Sequence, residues 1–257
     1  MNVFAIAMFL AAFTLSDLTS ALAQPNRTVG VAPERQKARM QQQIGWEHMQ
    51  REEWAAAARA FQNAIDIDSS YEYAYYSLGR AELGRRQHAA AIDALEKCAQ
   101  IYRAQAGRQF SDTQEAQRYR RDRQLEIDEQ LRQLRSGPQS FRTADQIRQL
   151  ETMRRELDDR IERSNSVTIG TVVPAFVSLS LGSAYFRAGR FDDAEREYKA
   201  TVAADPRSGE AFSNLAVVYL QAGRIQEAQQ AIESAKKTGF RVNPQLEQDI
   251  RKRMKGR

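Results

Sequence analysis

Small and large apolar residues recur along this chain in a fixed order with a period of 34 residues. Gly45, Ala57, Phe61 and Ala64 are matched 34 residues on by Gly79, Ala91, Leu95 and Cys98, and Gly182, Ala194, Tyr198 and Thr201 are matched at the same offset by Ala216, Ala228, Ile232 and Ala235. A fixed offset of this length is the mark of an internal repeat. The four blocks cover 38–71, 72–105, 175–208 and 209–242. Within a block, small residues at the eighth and twentieth positions let two antiparallel helices approach closely, and the large residue at the twenty-fourth fills the seam. One such helix pair cannot bury its own apolar face, so each must stack on the next. The spacing predicts an all-α solenoid of helical hairpins.

Block three reads Leu181-Gly182-Ser183-Ala184-Tyr185, then Gly189, Ala194, Tyr198 and Asp205-Pro206. Block four reads Leu215-Ala216-Val217-Val218-Tyr219, then Gly223, Ala228, Ile232 and Ala235. On these residues the chain resembles a tetratricopeptide repeat protein over somewhat more than half its length. Blocks one and two depart from the pattern with His48 and Glu82 where a tyrosine is usual. Block two also has Arg103 where the closing proline would fall, which predicts a second helix running on toward Gly107.

The resemblance implies a superhelix whose concave groove is lined by first-helix side chains. At those positions stand Arg39, Gln42, Trp46 and Met49; Tyr73, Tyr76, Arg80 and Leu83; Phe176, Leu179, Ser183 and Arg187; and Ser213, Asn214, Val217 and Gln221. It also implies a protein or peptide partner laid in that groove, because aromatic and arginine side chains dominate interface energetics. For Trp46, Tyr73, Phe176, Leu83 and Val217 the alternative is core packing between repeats. The carboxylate clamp of chaperone-binding repeats is not made, since Gln42, Trp46 and Ser77 occupy its places.

The insertion at 106–174 breaks the frame. A helix is predicted from 113 to 135, Ser136-Gly137-Pro138 ends it, and a second follows from about 143 to 163. Narrow apolar stripes, Ile127, Leu131 and Leu134 against Ile147, Leu150, Leu157 and Ile161, suit an antiparallel hairpin along a coiled-coil-like seam. The hairpin is expected to project from the solenoid, with a dimerising coiled coil as the alternative. Its thirteen arginines and twelve carboxylates interleave, which reads as solvated helix faces and argues against a nucleic-acid groove.

The ends carry targeting and capping signals. An apolar run at 3–15 leading to Ala21-Leu22-Ala23 reads as an export signal over 1–23, and it is shorter than the roughly 20 residues of a membrane span. The absence of Lys or Arg in Met1-Asn2-Val3 keeps an uncleaved anchor as the alternative. A periplasmic or secreted location follows, with 24–37 as a flexible linker. Asn243-Pro244, then Leu246, Ile250 and Met254, predict a capping helix over 243–257. It ends in Arg251, Lys252, Arg253, Lys255 and Arg257, which either complement the helix dipole or meet an anionic surface such as a membrane.

Composition narrows the chemistry. Among 257 residues of net charge +5 there are two histidines and one cysteine, too few for a zinc ligand set, and a second cysteine for an internal disulfide is missing. Cys98, at a small-residue position, is expected to be buried. With no nucleophile elbow and no phosphate-cradling loop, no catalytic site, metal or cofactor is expected. The function expected is a non-enzymatic scaffold or adaptor of the cell envelope that binds another protein. The alternative is a structural protein that self-associates into a homo-oligomer through the inserted hairpin.

Overall fold

A computed structural model of the chain describes residues 33–105, 113–136, 144, 147, 150, 151, 154 and 173–255. Regular structure among the described residues is helical. The order is α1 (Pro33–Gln50), α2 (Trp54–Ile67), α3 (Glu72–Gly84), α4 (His88–Gln105), α5 (Thr113–Ser136), α6 (Ala175–Arg187), α7 (Phe191–Ala204), α8 (Gly209–Gln221), α9 (Ile225–Lys237) and α10 (Pro244–Lys255). Four antiparallel pairs, α1/α2, α3/α4, α6/α7 and α8/α9, stack through α2 on α3, α4 on α6 and α7 on α8.

The eighth and twenty-fourth positions meet as the spacing requires. A Cβ built on Gly45 would lie 2.3 Å from Phe61, one on Gly79 2.5 Å from Leu95, and one on Gly182 2.7 Å from Tyr198. No side chain fits there, so Phe61, Leu95 and Tyr198 pack directly against the glycine backbone. The core formed in this way runs unbroken from Ala38 to Ile250 and includes Phe61, Leu95, Leu181, Tyr198 and Ile232. Cys98 is buried in it on α4, and burial pushes its thiol well above the usual range.

The insertion does not interrupt the stack. α4 packs directly on α6, and Tyr185 Oη donates a hydrogen bond to Glu96 across that junction. α2 and α7 stop at extended residues, Asp68 at φ −140° and Asp205 at φ −136°. α4 lacks that stop and extends to 18 residues against 14 for α2.

One expectation is corrected. α1 begins at Pro33, within the stretch read as a linker, because proline at a first helical position and Glu34 in the first turn favour a helix start. The inserted helix α5 carries charges that pair with half-buried Arg35 and Arg39 on α1 and buried Glu72 on α3. Its apolar residues Ile127 and Leu131 form a separate small cluster with Leu150, with Leu134 and Ile147 at the edge. Arg135 pairs with Glu151 at 2.8 Å and Asp128 with Arg154 at 2.9 Å, partners that run in opposite chain directions. The expected export signal, linker residues up to 32, Gly137, Pro138, Leu157, Ile161 and Arg257 lie outside the described residues.

Candidate functional site

The first helices α1, α3 and α6 touch in sequence and carry a row of aromatic rings. Trp46 stacks on Tyr73 with centroids 6.4 Å apart, Tyr73 stacks on Tyr76 at 5.5 Å, and Tyr76 meets the edge of Phe176 at 4.8 Å. The Arg80 guanidinium lies over Trp46 at 5.1 Å and over Tyr76 at 5.8 Å. Such ring–ring and cation–ring contacts are each worth about 0.5–1.5 kcal/mol. Trp46 is 9% exposed and Tyr73 and Tyr76 are 4% exposed, so these rings form a floor between repeats. Met49, Phe176 and Gln42 are buried with them. Inter-repeat packing, the alternative reading for Trp46, Tyr73 and Phe176, describes their surroundings. The reason is geometric: the ninth position of block one meets the second of block two, and the fifth of block two meets the second of block three. Gln42 Nε2 donates to Ser77 Oγ at 2.5 Å, while Gln42 Oε1 and Trp46 Nε1 are buried without hydrogen-bond partners.

The accessible groove positions lie mainly on α6 and α8. Leu179, Ser183, Ser213, Asn214 and Val217 are half-buried, Arg187 and Gln221 are exposed, and Leu83 on α3 is half-buried. Ser183 Oγ is already engaged, donating to the Leu179 carbonyl at 2.9 Å and accepting from Tyr198 Oη at 3.3 Å. A cleft of about 570 Å³ opens where α4, α6 and α7 meet. Glu96, Arg103, Arg196 and Glu197 mix both signs of charge along its walls.

Arg39, the first groove position, is covered by α5. Its Nη2 donates to the Asp122 carbonyl at 2.8 Å and lies 3.6 Å from Glu126. One turn earlier on α1, Arg35 pairs with Glu126 at 3.0 Å, with Glu72 of α3 at 3.4 Å and with Asp68 at 2.6 Å. Arg123 of α5 closes the network. It pairs with Glu72, with Glu126 at 2.7 Å and with Tyr102 Oη of α4 at 3.0 Å. Glu72 and Glu126 are each 2% exposed. Burial pushes the Glu72 carboxyl up, against the pull of Arg123. Burial also works against the charge on Arg35, but Glu126 and Glu72 outweigh it and hold this guanidinium above its usual range. Removing one partner from a buried network of this kind leaves a charge uncompensated, at a cost of about 3–5 kcal/mol.

Sequence reasoning did not select Arg35, Glu72, Arg123 or Glu126. The available signal was a pair of matched spacings, Arg35 with Arg39 on α1 and Asp122 with Glu126 on the inserted helix. At the C-terminal end, Asn243 Oδ1 accepts from Gln245 N at 2.9 Å, Ile250 is fully buried, and Arg253 donates to the Leu220 carbonyl at 3.0 Å. Among the described residues no group of three or more His, Cys, Asp or Glu is placed to hold a metal ion, and no helix is long and apolar enough to cross a membrane.

A family model, the tetratricopeptide repeat, matches residues 43–108 and 179–239. Three solved structures illustrate the similarity. PilW, a widely conserved type IV pilus biogenesis factor, is 16% identical over 85% of this chain and 86% of its own, with a TM-score of 0.39. A thermophilic repeat protein of Thermus thermophilus is 19% identical over 84% of this chain and 98% of its own, at 0.33. YrrB, a repeat protein with an unusual peptide-binding site, is 16% identical over 86% of this chain and 91% of its own, at 0.27. Among curated proteins none matches.

Proposed function

Given that residues 43–108 and 179–239 are tetratricopeptide repeats, we propose that the protein is a non-enzymatic scaffold that binds another protein or peptide through the face shared by its first helices. The observation that supports this most is the continuity of the stack across α4 and α6, which sets first helices from both sides of the insertion on one surface. The binding positions on this reading are Leu179, Arg187, Asn214 and Gln221, which are half-buried or exposed. The aromatic row with Arg80 provides a rigid floor across α1, α3 and the start of α6.

The test is affinity capture from an envelope extract, comparing the unaltered chain with Arg187→Ala/Asn214→Ala/Gln221→Ala. Tyr76 and Phe176 are left intact, because their truncation would disturb the core. Retention of one protein by the first chain and its loss from the second, at equal helicity, is the expected result. Recovery of nothing but the chain itself, or equal capture by both, overturns the groove.

Export completes the proposal. Ala21-Leu22-Ala23 supplies the cleavage signal, and the sequencing of recovered protein should begin at Gln24. The exposed cations Arg251, Lys252, Arg253 and Lys255 on α10 add a surface for an anionic membrane. Self-association is favoured by one observation, the 44% exposure of Leu125 on the side of α5 opposite its apolar seam. Sedimentation at several concentrations tests it.

A further inference from the structure

α5 is attached to the repeats by charge rather than by apolar burial. Its large apolar residues Ile127 and Leu131 face Leu150 in a cluster of their own, separate from the solenoid core. What it presents to α1, α3 and α4 is Asp122, Arg123 and Glu126. Lifting α5 away uncovers the Tyr102 ring, over which Arg123 lies at 5.1 Å, and a fixed pattern of charge. That pattern is Arg35 and Arg39 one turn apart, with the carboxylate of Glu72 beside them. Arg35 and Arg39 both reach the Glu126 carboxylate, at 3.0 and 3.6 Å, Arg39 also reaches the Asp122 carboxylate at 4.0 Å, and Glu72 adds the requirement for a cation next to them.

We propose that the surface beneath α5 is a second docking site of the scaffold, for a partner helix that carries carboxylates at positions i and i+4 and a basic residue at i+1, and that α5 occupies it in cis until such a helix displaces it. The proposal rests on the scaffold reading. It concerns a different face, so the two fail separately. α5 itself shows the chemistry that fits, and the site's occupancy by a tethered helix makes docking competitive: a tethered segment acts at an effective concentration of about millimolar, so an incoming helix must exceed that local supply. With α5 lifted these charges face solvent, so raised salt weakens the approach of an incoming helix.

The probe is a labelled peptide of residues 113–136, with a control peptide carrying Asp122→Asn and Glu126→Gln. Both are titrated by fluorescence anisotropy into the unaltered full chain and into the full chain with Arg123→Gln/Glu126→Gln, which loosens the cis helix. The expected result is that the loosened chain binds the peptide about tenfold or more tighter than the unaltered chain, the gain from removing a tethered competitor. Binding should fall with salt, vanish with the control peptide, and vanish when Arg35→Gln and Arg39→Gln are added. Arg187→Ala/Asn214→Ala should leave it unchanged. Equal binding by both chains, equal binding of both peptides, or no binding to a loosened chain of normal helicity overturns the proposal. Should the loosened chain lose helicity, amide exchange decides on the unaltered chain. Excess peptide must accelerate exchange in α5, and no acceleration overturns it. An unaltered chain that dimerises in sedimentation, and no longer does so with Arg35→Gln/Arg39→Gln, assigns the surface to α5 of a second copy and likewise overturns a foreign partner.

Discussion

At the turn between its two helices, each of repeats 3 and 4 places a glycine in the left-handed region, Gly189 at φ 77° and Gly223 at φ 72°. An arginine follows whose guanidinium lies 4.4 Å over a tyrosine ring of the preceding helix, Arg190 over Tyr185 and Arg224 over Tyr219. Repeats 1 and 2 make the same turn with Glu52 at φ 57° and Arg86 at φ 61°, residues that carry a Cβ into a region where it is crowded. The tyrosine is replaced there by His48, bonded through Nδ1 to Glu53 at 2.5 Å, and by Glu82, paired with Arg85 at 2.8 Å. The second pair of repeats is thus closed by local contacts of its own. The first pair carries backbone strain at both turns and is tied instead to a helix from outside the repeat frame, through Arg35, Arg39 and Glu72. Repeats of one fold can draw their stability from different sources.

The largest effect expected is from emptying the seam. Phe61→Ala should cost about 3–5 kcal/mol and Ile232→Ala about 2–5 kcal/mol in urea unfolding. Both tryptophans, Trp46 and Trp54, lie in repeat 1. Their fluorescence should therefore report the first substitution strongly and the second weakly, since repeats couple chiefly to neighbours. Equal responses would erase the distinction between the two pairs.

Acid should separate them next, because several carboxylates titrate together. Hydrogen bonds from Arg224 and Lys236 hold Glu227 and Glu247 below the usual carboxylate range. Their stabilising contribution is present above that range and is lost as pH falls through it. Glu72 behaves oppositely. Burial raises its carboxyl above the ordinary value of 4.5, so its contribution is present below that value and is lost as pH rises through the raised one. Between about pH 6 and pH 3, amide protection in α8 to α10, referred to the intrinsic exchange rate at each pH, should fall before tryptophan fluorescence changes. A single coincident transition would count against this.

Smaller effects should come from the turns. Glu52→Gly and Arg86→Gly should each raise stability by about 0.5–1 kcal/mol, whereas Gly189→Ala should lower it by a similar amount, read as midpoint shifts in urea. The least expected is about 0.5 kcal/mol lost in Arg224→Ala, with its ring contact removed at an exposed site.

The seam was legible because it depends on sterics within one block. Gly45 with Phe61 and Gly182 with Tyr198 specify the pairing of two adjacent helices, and no distant residue alters that. The groove floor was only half legible. Helical position puts Tyr73, Tyr76 and Phe176 on the shared face, but whether that face is lining or floor depends on how tightly successive repeats stack. The contact with α5 was the least visible. Its residues belong to a segment whose charges nearly cancel, and Arg35 sits ahead of the first block, where no periodicity marks it. Burial of a charge becomes visible only when the opposing charge arrives from far along the chain, as Glu126 does for Arg35 across 91 residues.

The direct packing of α4 on α6 gives this junction the character of a port. The energetic cost of holding a loop closed grows only with the logarithm of its length, by about 0.6 kcal/mol for each doubling. A segment that leaves after one repeat and returns to begin the next can lengthen, shorten or be exchanged as a cassette without rewriting the repeats on either side. The solenoid then keeps its own packing, and the junction is the place where an attachment of any length can be carried.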